Sequence, residues 1–546
     1  MKTKDTFSVK GVIVNPTSRT KEGGEILISN GEIKSIIKNP KIKNPFILPG
    51  FIDSHVHIES SMLIPSQFAR MAVKHGTIAV VTDPHEVANV AGIEGIWFML
   101  SDARKTPMHF FFGVPSCVPA SPLEKSGATL NSTDVKSLLS EDDFLYLAEM
   151  MNFPGVINDD EEVVRKISAA KELGKPIDGH APGLSGEDLI KYVASGIETD
   201  HECSTTEEAI QKIKLGMKVL IREGSAAKNF DTLISLVKEF PKSVMFCTDD
   251  CHPDYLEKGH INKLVAKAIK QGYDFFDVIY AATINPINHY KLPLGRLKEN
   301  DPADFILVKD LDNFEVLATY IKGKPVYSNN KINFSVKNVV RPKFSFRSSF
   351  RAEDLNVFCS GQKLNVIGAI EGELLTKWTK EDSPVPIGEN VYANPKDDFL
   401  KIVLLDRYSE DPPVVCYIRG FGLKTGAIAA SIAHDSHHII CIGCEDESIE
   451  QAFEWIISQK GGICFAKKQK VKGIPLPFFG LMTNLEGTSI SKKYHNLNKL
   501  VRDAGSNLNS PFMTLSFMAL TVIPELKVFH NGLFDANNFK KVPLFF

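Results

Sequence analysis

Eight short apolar runs alternate with helix-like segments between residues 47 and 250. In chain order they are ILPGFID, GTIAVVTD, MHFFFGVPS, DFLYLAE, GKPIDGH, GIETDHE, MKVLIRE and SVMFCTDD. Continuous apolar runs are typical of parallel strands buried on both faces, and their alternation with helices indicates βα units. Eight such units within about 250 residues predict a (β/α)8 barrel of the TIM type. A doubly wound open sheet is the alternative, but no Gly-rich dinucleotide fingerprint follows the first strand.

The segments on either side of the predicted barrel have β patterning. Residues 1–48 contain alternating runs broken by Asn30-Gly31, which is a strong hairpin-turn signal. Residues 301–345 return to the same patterning, so we predict that both segments form one small β-sandwich flanking a barrel of residues 49–300. Residues 350–546 mix strand-like runs with helices and predict a C-terminal α+β domain.

Composition restricts the partners and the cellular compartment. The net charge of −3 provides no electrostatic footprint for a nucleic acid. No apolar run is long enough to span a bilayer, and the first residues lack the apolar region of a signal peptide, so we expect no membrane partner. Nine cysteines, an odd number in 546 residues, argue against a disulfide framework and favour a reducing, cytoplasmic setting.

Polar residues with metal-binding side chains lie at the ends of the predicted strands. His55 and His57 are two apart, so both imidazoles project from the same side of the first strand. Active sites of barrels lie at the carboxyl ends of their strands. Strands 1, 4, 5, 6 and 8 together predict a ligand set for two divalent ions: His55, His57, Glu149, His180, His201 and Asp249.

Two further clusters have more than one interpretation. Strand 2 ends in Asp83-Pro84-His85-Glu86, which is either a turn that terminates the strand or a source of acid–base groups. Three histidines lie in the segment 433–438, AHDSHH. A polar loop before the next strand is the favoured interpretation. A metal site and a loop that closes over the barrel mouth are the alternatives.

Several of these segments resemble a known enzyme family. PGFIDSHVHIESS resembles the opening motif of the metal-dependent amidohydrolase superfamily. More narrowly, HVHIESSM, TDPHEVANV, LAEMMNFPGVI, DGHAPGLSG, TDHECST, REGSAAKN and FCTDDCHP are similar to segments of bacterial and archaeal adenine deaminases. GFGLKTGAIAASIAHDSHHII resembles the C-terminal domain of the same enzymes, so the resemblance extends over nearly the whole chain.

The resemblance implies a centre of two divalent ions. His55, His57 and Asp249 would hold one ion, and His180 and His201 the other. Many members of the superfamily bridge their metals with a carbamylated lysine on strand 4, whereas this chain has Glu149 there, which the resemblance assigns as the bridging carboxylate. Mn²⁺ is the expected metal, with Fe²⁺ and Zn²⁺ as alternatives that the ligand types alone do not exclude.

The implied reaction is the hydrolytic deamination of adenine to hypoxanthine and ammonia, in purine salvage, by a metal-activated hydroxide that attacks C6. Asp249 would accept the proton, although an exchange of roles with Asp250 is open. Glu86 and His85 are the candidates for a second acid–base group. The candidate substrate contacts are Asp83, Arg222, Glu223 and Ser225. Because relatives form homo-oligomers, a dimer or larger assembly is expected.

Two other functions remain as alternatives. A cyclic amidohydrolase of the dihydroorotase or hydantoinase kind is disfavoured by the missing strand 4 lysine and by the additional C-terminal region. A non-catalytic assembly protein with the amidohydrolase fold is disfavoured because such proteins typically lose metal ligands, whereas this chain has every expected one.

Overall fold

Parallel strands lie where the apolar runs predicted them in the computed structural model, which describes residues 6–121, 123–225, 227–336 and 339–546. The eight barrel strands among these residues are Phe51–His57, Thr77–Thr82, His109–Val114, Phe144–Met150, Ile177–Gly179, Thr199–Asp200, Lys218–Arg222 and Val244–Cys247. The short strand Asp249–Asp250 continues the eighth and pairs in parallel with Val56 and His57. The last strand therefore returns to the first, and the predicted TIM-like barrel is confirmed.

The first apolar run forms two strands instead of the single strand that the sequence predicted. Phe46–Pro49 belongs to a flanking sheet, and Phe51–His57 belongs to the barrel. Gly50 separates them and packs so closely that a Cβ atom there would lie 2.4 Å from the side chain of Ile78. Only glycine allows this approach, so the chain can pass from one sheet to the other at this point.

Helices follow most of the barrel strands, as βα units require. In the part of the chain that the structure describes, the α-helices up to residue 289 are Pro65–Ala72, His85–Ala103, Ser132–Leu139, Phe153–Ile157, Glu161–Glu172, Gly186–Ala194, Thr206–Lys214, Phe230–Leu233, Leu236–Glu239, Pro253–Lys258, Ile261–Lys270 and Phe275–His289. No helix among the described residues is both long and apolar enough to cross a membrane.

The segments on either side of the barrel, which the sequence predicted to form one small β-sandwich, join in one sheet. Among the described residues its eight strands are, in spatial order, Lys331–Ile332, Lys324–Ser328, Val316–Ile321, Phe305–Val308, Phe46–Pro49, Thr6–Asn15, Thr20–Ser29 and Glu32–Lys38. Phe305–Val308 pairs antiparallel with Phe46–Pro49 and so links the two segments. Asn30 and Gly31 have φ of 55° and 82°, the positive values that the predicted hairpin turn requires.

The chain divides into two compact units. The first contains the residues up to Pro84, Trp97–Cys117 and Leu130–Val339, and the second contains His85–Ile96, Val118–Thr129 and Val340–Phe546. The second unit therefore includes two short segments that lie between barrel strands in the sequence. The helix His85–Ala103 contributes residues to both units and is interrupted at Gly92, where φ is 56°.

A second eight-stranded sheet forms the core of the second unit. Among its described residues the strands are, in chain order, Lys363–Ala369, Thr376–Asp382, Leu400–Leu405, Val414–Arg419, Ala427–Ala430, Ile439–Gly443, Gly462–Lys467 and Lys470–Pro475. The helix Asp446–Gln459 buries Ile449, Phe453 and Ile456 against it. Two more helices, Gly487–Asp503 and Pro511–Phe517, and three short strands, Leu526–Phe529, Gly532–Asp535 and Lys540–Val542, complete the unit, and the predicted α+β architecture is confirmed.

The stability of the first unit should fall in acid because two of its histidines are buried. Burial lowers the pKa of His75 to about 3 and that of His289 to about 4. Below pH 6.5 the unfolded chain binds more protons at these sites than the folded chain, so the free energy of unfolding should decrease as the pH falls from 6.5 towards 4. Denaturant unfolding at a series of pH values measures this.

His75→Gln should reduce the pH dependence of unfolding, because glutamine does not titrate. The matched control is His495→Gln, at an exposed position of the second unit, which should leave the pH dependence unchanged. An identical slope in His75→Gln and the unsubstituted protein would contradict the assignment of this acid sensitivity to His75.

Candidate metal centre

The first barrel strand brings two imidazoles to one point. Every residue of Phe51–His57 is buried, as expected for a strand covered on both faces. His55 and His57 lie on the same side of the strand, with their Nε2 atoms 3.2 Å apart. Nδ1 of His57 donates to the backbone oxygen of Asp83 at 3.1 Å, because a carbonyl oxygen can only accept. This bond places the proton on Nδ1 and leaves the lone pair of Nε2 available as a ligand.

Glu149 divides its two carboxylate oxygens between two groups of ligands. Oε1 lies 3.7 Å from Nε2 of His55 and 3.1 Å from Nε2 of His57. Oε2 accepts a hydrogen bond from Nδ1 of His180 at 2.8 Å and lies 3.3 Å from Nε2 of His201. The glutamate at the end of strand 4 therefore faces both histidine pairs, with one oxygen for each.

Asp249 adds a second carboxylate on the side of His55 and His57. Its Oδ1 lies 3.6 Å from Nε2 of His55 and 3.1 Å from Nε2 of His57. Its Oδ2 accepts from Nη1 of Arg222 at 2.7 Å, which fixes the orientation of the carboxylate. The backbone φ of Asp249 is 54°, so the eighth strand turns at this residue. That turn directs the side chain towards the histidines of the first strand.

Two polar pairs that support Asp249 were not assigned from the sequence. Asp53 accepts from the backbone nitrogen of Thr248 at 3.0 Å and from its hydroxyl group. Glu202 accepts from both terminal nitrogens of Arg222. The sequence shows Asp53 in strand 1 and Glu202 after strand 6, but it does not indicate their partners, which lie 195 and 20 residues away along the chain.

Hydrogen bonds and neighbouring charges set the ionisation of the centre. Burial alone would raise the pKa of Glu149, but hydrogen bonds from His180 and His201 hold it well below its usual range. Burial likewise opposes ionisation of Asp249, and the charge of Arg222 outweighs it and keeps the pKa low. Burial alone would lower the pKa of His201, but the hydrogen bond and charge of Glu149 raise it to about 9. Without a bound cation, a proton therefore occupies His201, and a metal must displace it.

The donor set fits divalent metal ions. Ligand atoms lie within 4.8 Å of one another in several groups of the described residues, among them His55, His57 and Asp249; His55, Glu149 and His201; and His180, His201 and Glu202. Donor atoms bound to one ion at about 2.1 Å in tetrahedral geometry are about 3.4 Å apart. The distances of 3.1 to 3.7 Å between the donors of His55, His57, Glu149 and Asp249 bracket that value.

The other predicted site residues have different surroundings. Asp83 lies with His57 and Glu149 in a group whose ligand atoms are within 4.8 Å. Asp250 accepts from the hydroxyl group of Ser60. Glu223 forms ion pairs with Lys228 and Lys267, and Ser225 accepts from the backbone nitrogen of His252 at 2.7 Å. Within the first unit, Asp83 and Arg222 are thus the strand 2 and strand 7 residues that lie beside the ligands.

His85 and Glu86 belong to a cluster of the second unit. Both oxygens of Glu86 contact imidazoles, Oε1 that of His434 and Oε2 that of His437. These histidines belong to the loop between Ala427–Ala430 and Ile439–Gly443, which the sequence predicted as a polar loop. The loop is present, but its residues 433–438 are buried. Burial, followed by the charge of Asp435, raises the pKa of the nearby Glu124 to about 8, so this carboxyl group is mostly protonated at pH 7.

Comparisons with known proteins identify the family of both parts of the chain. Residues 46–326 match the model of the amidohydrolase family, and residues 373–540 match that of the adenine deaminase C-terminal domain. An adenine deaminase of Methanosarcina barkeri is 50% identical over 98% of this chain and 99% of its own length. An adenine deaminase of Parabacteroides distasonis is 47% identical over 99% of each chain. A dihydroorotase crystal structure covers 59% of this chain and 98% of its own chain, with 16% identity and a TM-score of 0.46.

Replacing the shared carboxylate should remove bound metal. Glu149→Gln keeps the shape of the side chain but removes its charge and one ligand oxygen, so the reconstituted protein should lose at least one ion per chain relative to the unsubstituted protein. Elemental analysis after gel filtration measures the ratio. Glu223→Gln, which changes a glutamate that pairs with lysines, is the control and should retain the full metal content. Full metal content in Glu149→Gln would show that Glu149 does not bridge.

Removing Arg222 should destabilise the metal-free protein. Arg222→Met leaves Asp249 and Glu202 buried without their cation, which costs about 3–5 kcal/mol for a broken buried pair. Denaturant unfolding followed by circular dichroism tests this. Lys136→Met breaks an exposed pair with Glu172 and should have little effect. Equal stability of the two variants would contradict the prediction that the ion pairs of Arg222 stabilise the fold.

Proposed function

The chain belongs to the adenine deaminase family of the amidohydrolases, and we propose that it hydrolyses adenine to hypoxanthine and ammonia. The observation that carries the proposal is the position of Glu149, with one oxygen towards His55 and His57 and the other towards His180 and His201. A cyclic amidohydrolase with a bridging lysine would need that residue at the end of strand 4, where this chain has the glutamate.

We propose a centre of two divalent ions. His55, His57 and Asp249 would hold one ion, His180 and His201 the other, and Glu149 would bridge them. When bound, such ions supply a water molecule acidic enough to ionise near neutral pH and positive charge that stabilises the transition state. Family membership implies a divalent metal. Imidazole and carboxylate donors suit Mn²⁺, Fe²⁺ and Zn²⁺ alike, and Mn²⁺ is our proposal on the basis of the family resemblance.

Asp249 is the proposed acceptor of the proton from the attacking water. Arg222 holds Oδ2, so Oδ1 is the oxygen that remains directed at His55 and His57. From there the carboxylate would pass the proton to a ring nitrogen or to the departing ammonia. Acid–base assistance of this kind contributes on the order of 10²–10⁴ in rate. The side chains of His55, His57, Glu149 and Asp249 are all buried, which excludes bulk water from these donors.

The structure supports the proposed roles of the remaining site residues to different degrees. Asp83 is the best-supported substrate contact, because its carboxylate lies with the ligand atoms of His57 and Glu149. Arg222 acts on the reaction through Asp249 and Glu202. Glu223, Ser225 and Asp250 have partners of their own and stay predictions, as do Glu86 and His85 as a second acid–base pair.

The proposed setting is purine salvage in the cytoplasm. All nine cysteines are free thiols and all are buried, as is typical of proteins in a reducing compartment. We also propose a homo-oligomer, a dimer or larger, on the basis of the family resemblance. Light scattering coupled to gel filtration measures this directly, and a monomer at micromolar concentration would contradict it.

Activity after metal reconstitution tests the proposed reaction. The protein loaded with Mn²⁺ should reduce the ultraviolet absorbance of adenine and release one equivalent of ammonia per adenine consumed. Asp249→Asn, which cannot accept a proton, should lower kcat by about 10²–10⁴. Glu172→Gln is the control and should keep the full kcat, since Glu172 forms an exposed pair with Lys136 and has no proposed role in the reaction.

Other substrates distinguish the proposed reaction from its alternatives. Dihydroorotate and hydantoin should remain intact under the same conditions. Hydrolysis of these cyclic amides without turnover of adenine would reject the deaminase in favour of a cyclic amidohydrolase. A metal-loaded protein that acts on none of these compounds would defeat both enzyme functions.

A further inference from the structure

A second group of possible metal ligands lies wholly within the second unit. Ligand atoms of His85, Glu86 and Asp435 lie within 4.8 Å of one another. The three residues expose 3%, 1% and 4% of their surface, so they form a buried site. His85 and Glu86 begin the helix His85–Ala103, and Asp435 lies in the loop of residues 433–438.

The donor spacing matches that of a coordinated ion. Nε2 of His85 lies 3.6 Å from Oε1 of Glu86 and 3.7 Å from Oδ1 of Asp435. The tetrahedral separation for bonds of about 2.1 Å is about 3.4 Å. The corresponding distances from Nε2 of His55 to Glu149 and Asp249 are 3.7 and 3.6 Å. The second group therefore has the same spacing between imidazole and carboxylate as the first.

The charges of the cluster lack a fixed cation. Glu86 and Asp435 pair only with histidines, and no lysine or arginine of the described ranges forms an ion pair with either. The buried Arg407 donates instead to the backbone oxygens of Ser431, His437 and Phe479. Oδ2 of Asp435 is buried without a hydrogen-bond partner among the described residues. Buried carboxylates of this kind are stabilised by paired cations or bound metals.

Two further histidines hold Glu86 in place. Nδ1 of His434 contacts Oε1, and Nε2 of His437 contacts Oε2. His434 is itself fixed, because its backbone nitrogen donates to Ser516 at 3.1 Å and its ring stacks on Phe517 at 4.9 Å. Outer residues that hydrogen-bond to a ligating carboxylate orient it and are a regular part of metal sites.

We propose that His85, Glu86 and Asp435 bind a third divalent cation. One imidazole and two carboxylates suit Zn²⁺, Mn²⁺ or Fe²⁺. His434 and His437 are positioning residues, which hold Glu86 without binding the ion. The cation links the first turn of the helix His85–Ala103 to the loop of residues 433–438 and neutralises the buried carboxylates of both.

Anomalous diffraction from crystals of the unsubstituted protein loaded with Mn²⁺ tests the proposal without a variant. Data collected at the manganese absorption edge should give a peak within bonding distance of His85, Glu86 and Asp435, in addition to those in the barrel. Elemental analysis should then find three ions per chain. Fully occupied barrel positions with no peak at this cluster, under the same conditions, would overturn the proposal.

Asp435→Asn supplies an independent test in solution. The variant should lose one ion per chain and retain the ions of the barrel, whose ligands it does not change. Asp535→Asn is the matched control, because Asp535 is also a buried aspartate of the second unit but accepts from Asn537 and Asn538. It should keep all three ions. Circular dichroism and thermal unfolding show whether each variant is folded.

If Glu86 and His85 have the predicted acid–base role instead, the Asp435→Asn variant should behave differently. If the cluster transfers protons and holds no metal, Asp435→Asn should keep the full metal content and displace one limb of the pH profile of kcat, and that result rejects the cation. The proposal does not depend on adenine as the substrate. A protein with three located ions and no adenine deaminase activity would retain the third site and reject the proposed reaction.

Discussion

The centre of the barrel depends on the division of one carboxylate between two pairs of imidazoles. Glu149 is almost fully buried and would not ionise there without compensation. Hydrogen bonds from His180 and His201 supply part of that compensation, and His57 lies against the other oxygen. Because each partner comes from a different strand, the carboxylate fixes the distance between strands 1, 5 and 6 as well as the ionisation of the site.

The barrel supplies this arrangement through a few residues that constrain the backbone. Gly50 allows the chain to leave the flanking sheet just before the first barrel strand. Asp53, on the same strand, holds Thr248 and thereby the turn at Asp249. Arg222 then joins Asp249 to Glu202. These contacts connect the beginning, middle and end of the barrel sequence, so the ligand geometry depends on contacts between strands that are distant in the sequence.

Much of this could be predicted from the sequence because it depends on local patterns. Buried parallel strands are continuous apolar runs, and a spacing of two residues places His55 and His57 on one side. The interruption at Gly50 could not be predicted, since it depends on the side chain of Ile78 in the neighbouring strand. The contact between Glu86 and His437 spans 351 residues, and no local pattern indicates a pairing over that distance. For the same reason the histidine-rich loop could be predicted as a loop, whereas its burial could not.

The division of the chain into two units has a consequence for how proteins of this kind evolve and how they can be truncated. The boundary is crossed five times along the sequence, after Pro84, Ile96, Cys117, Thr129 and Val339. If the second unit were a simple C-terminal addition, the chain would cross the boundary once, and the unit could be removed by truncating the chain at one position. Here a truncation after Val339 would strip His85–Ile96 and Val118–Thr129 of the residues with which they pack. The C-terminal segment Val340–Phe546 and the two inserts are therefore expected to be inherited together, as a single unit of exchange.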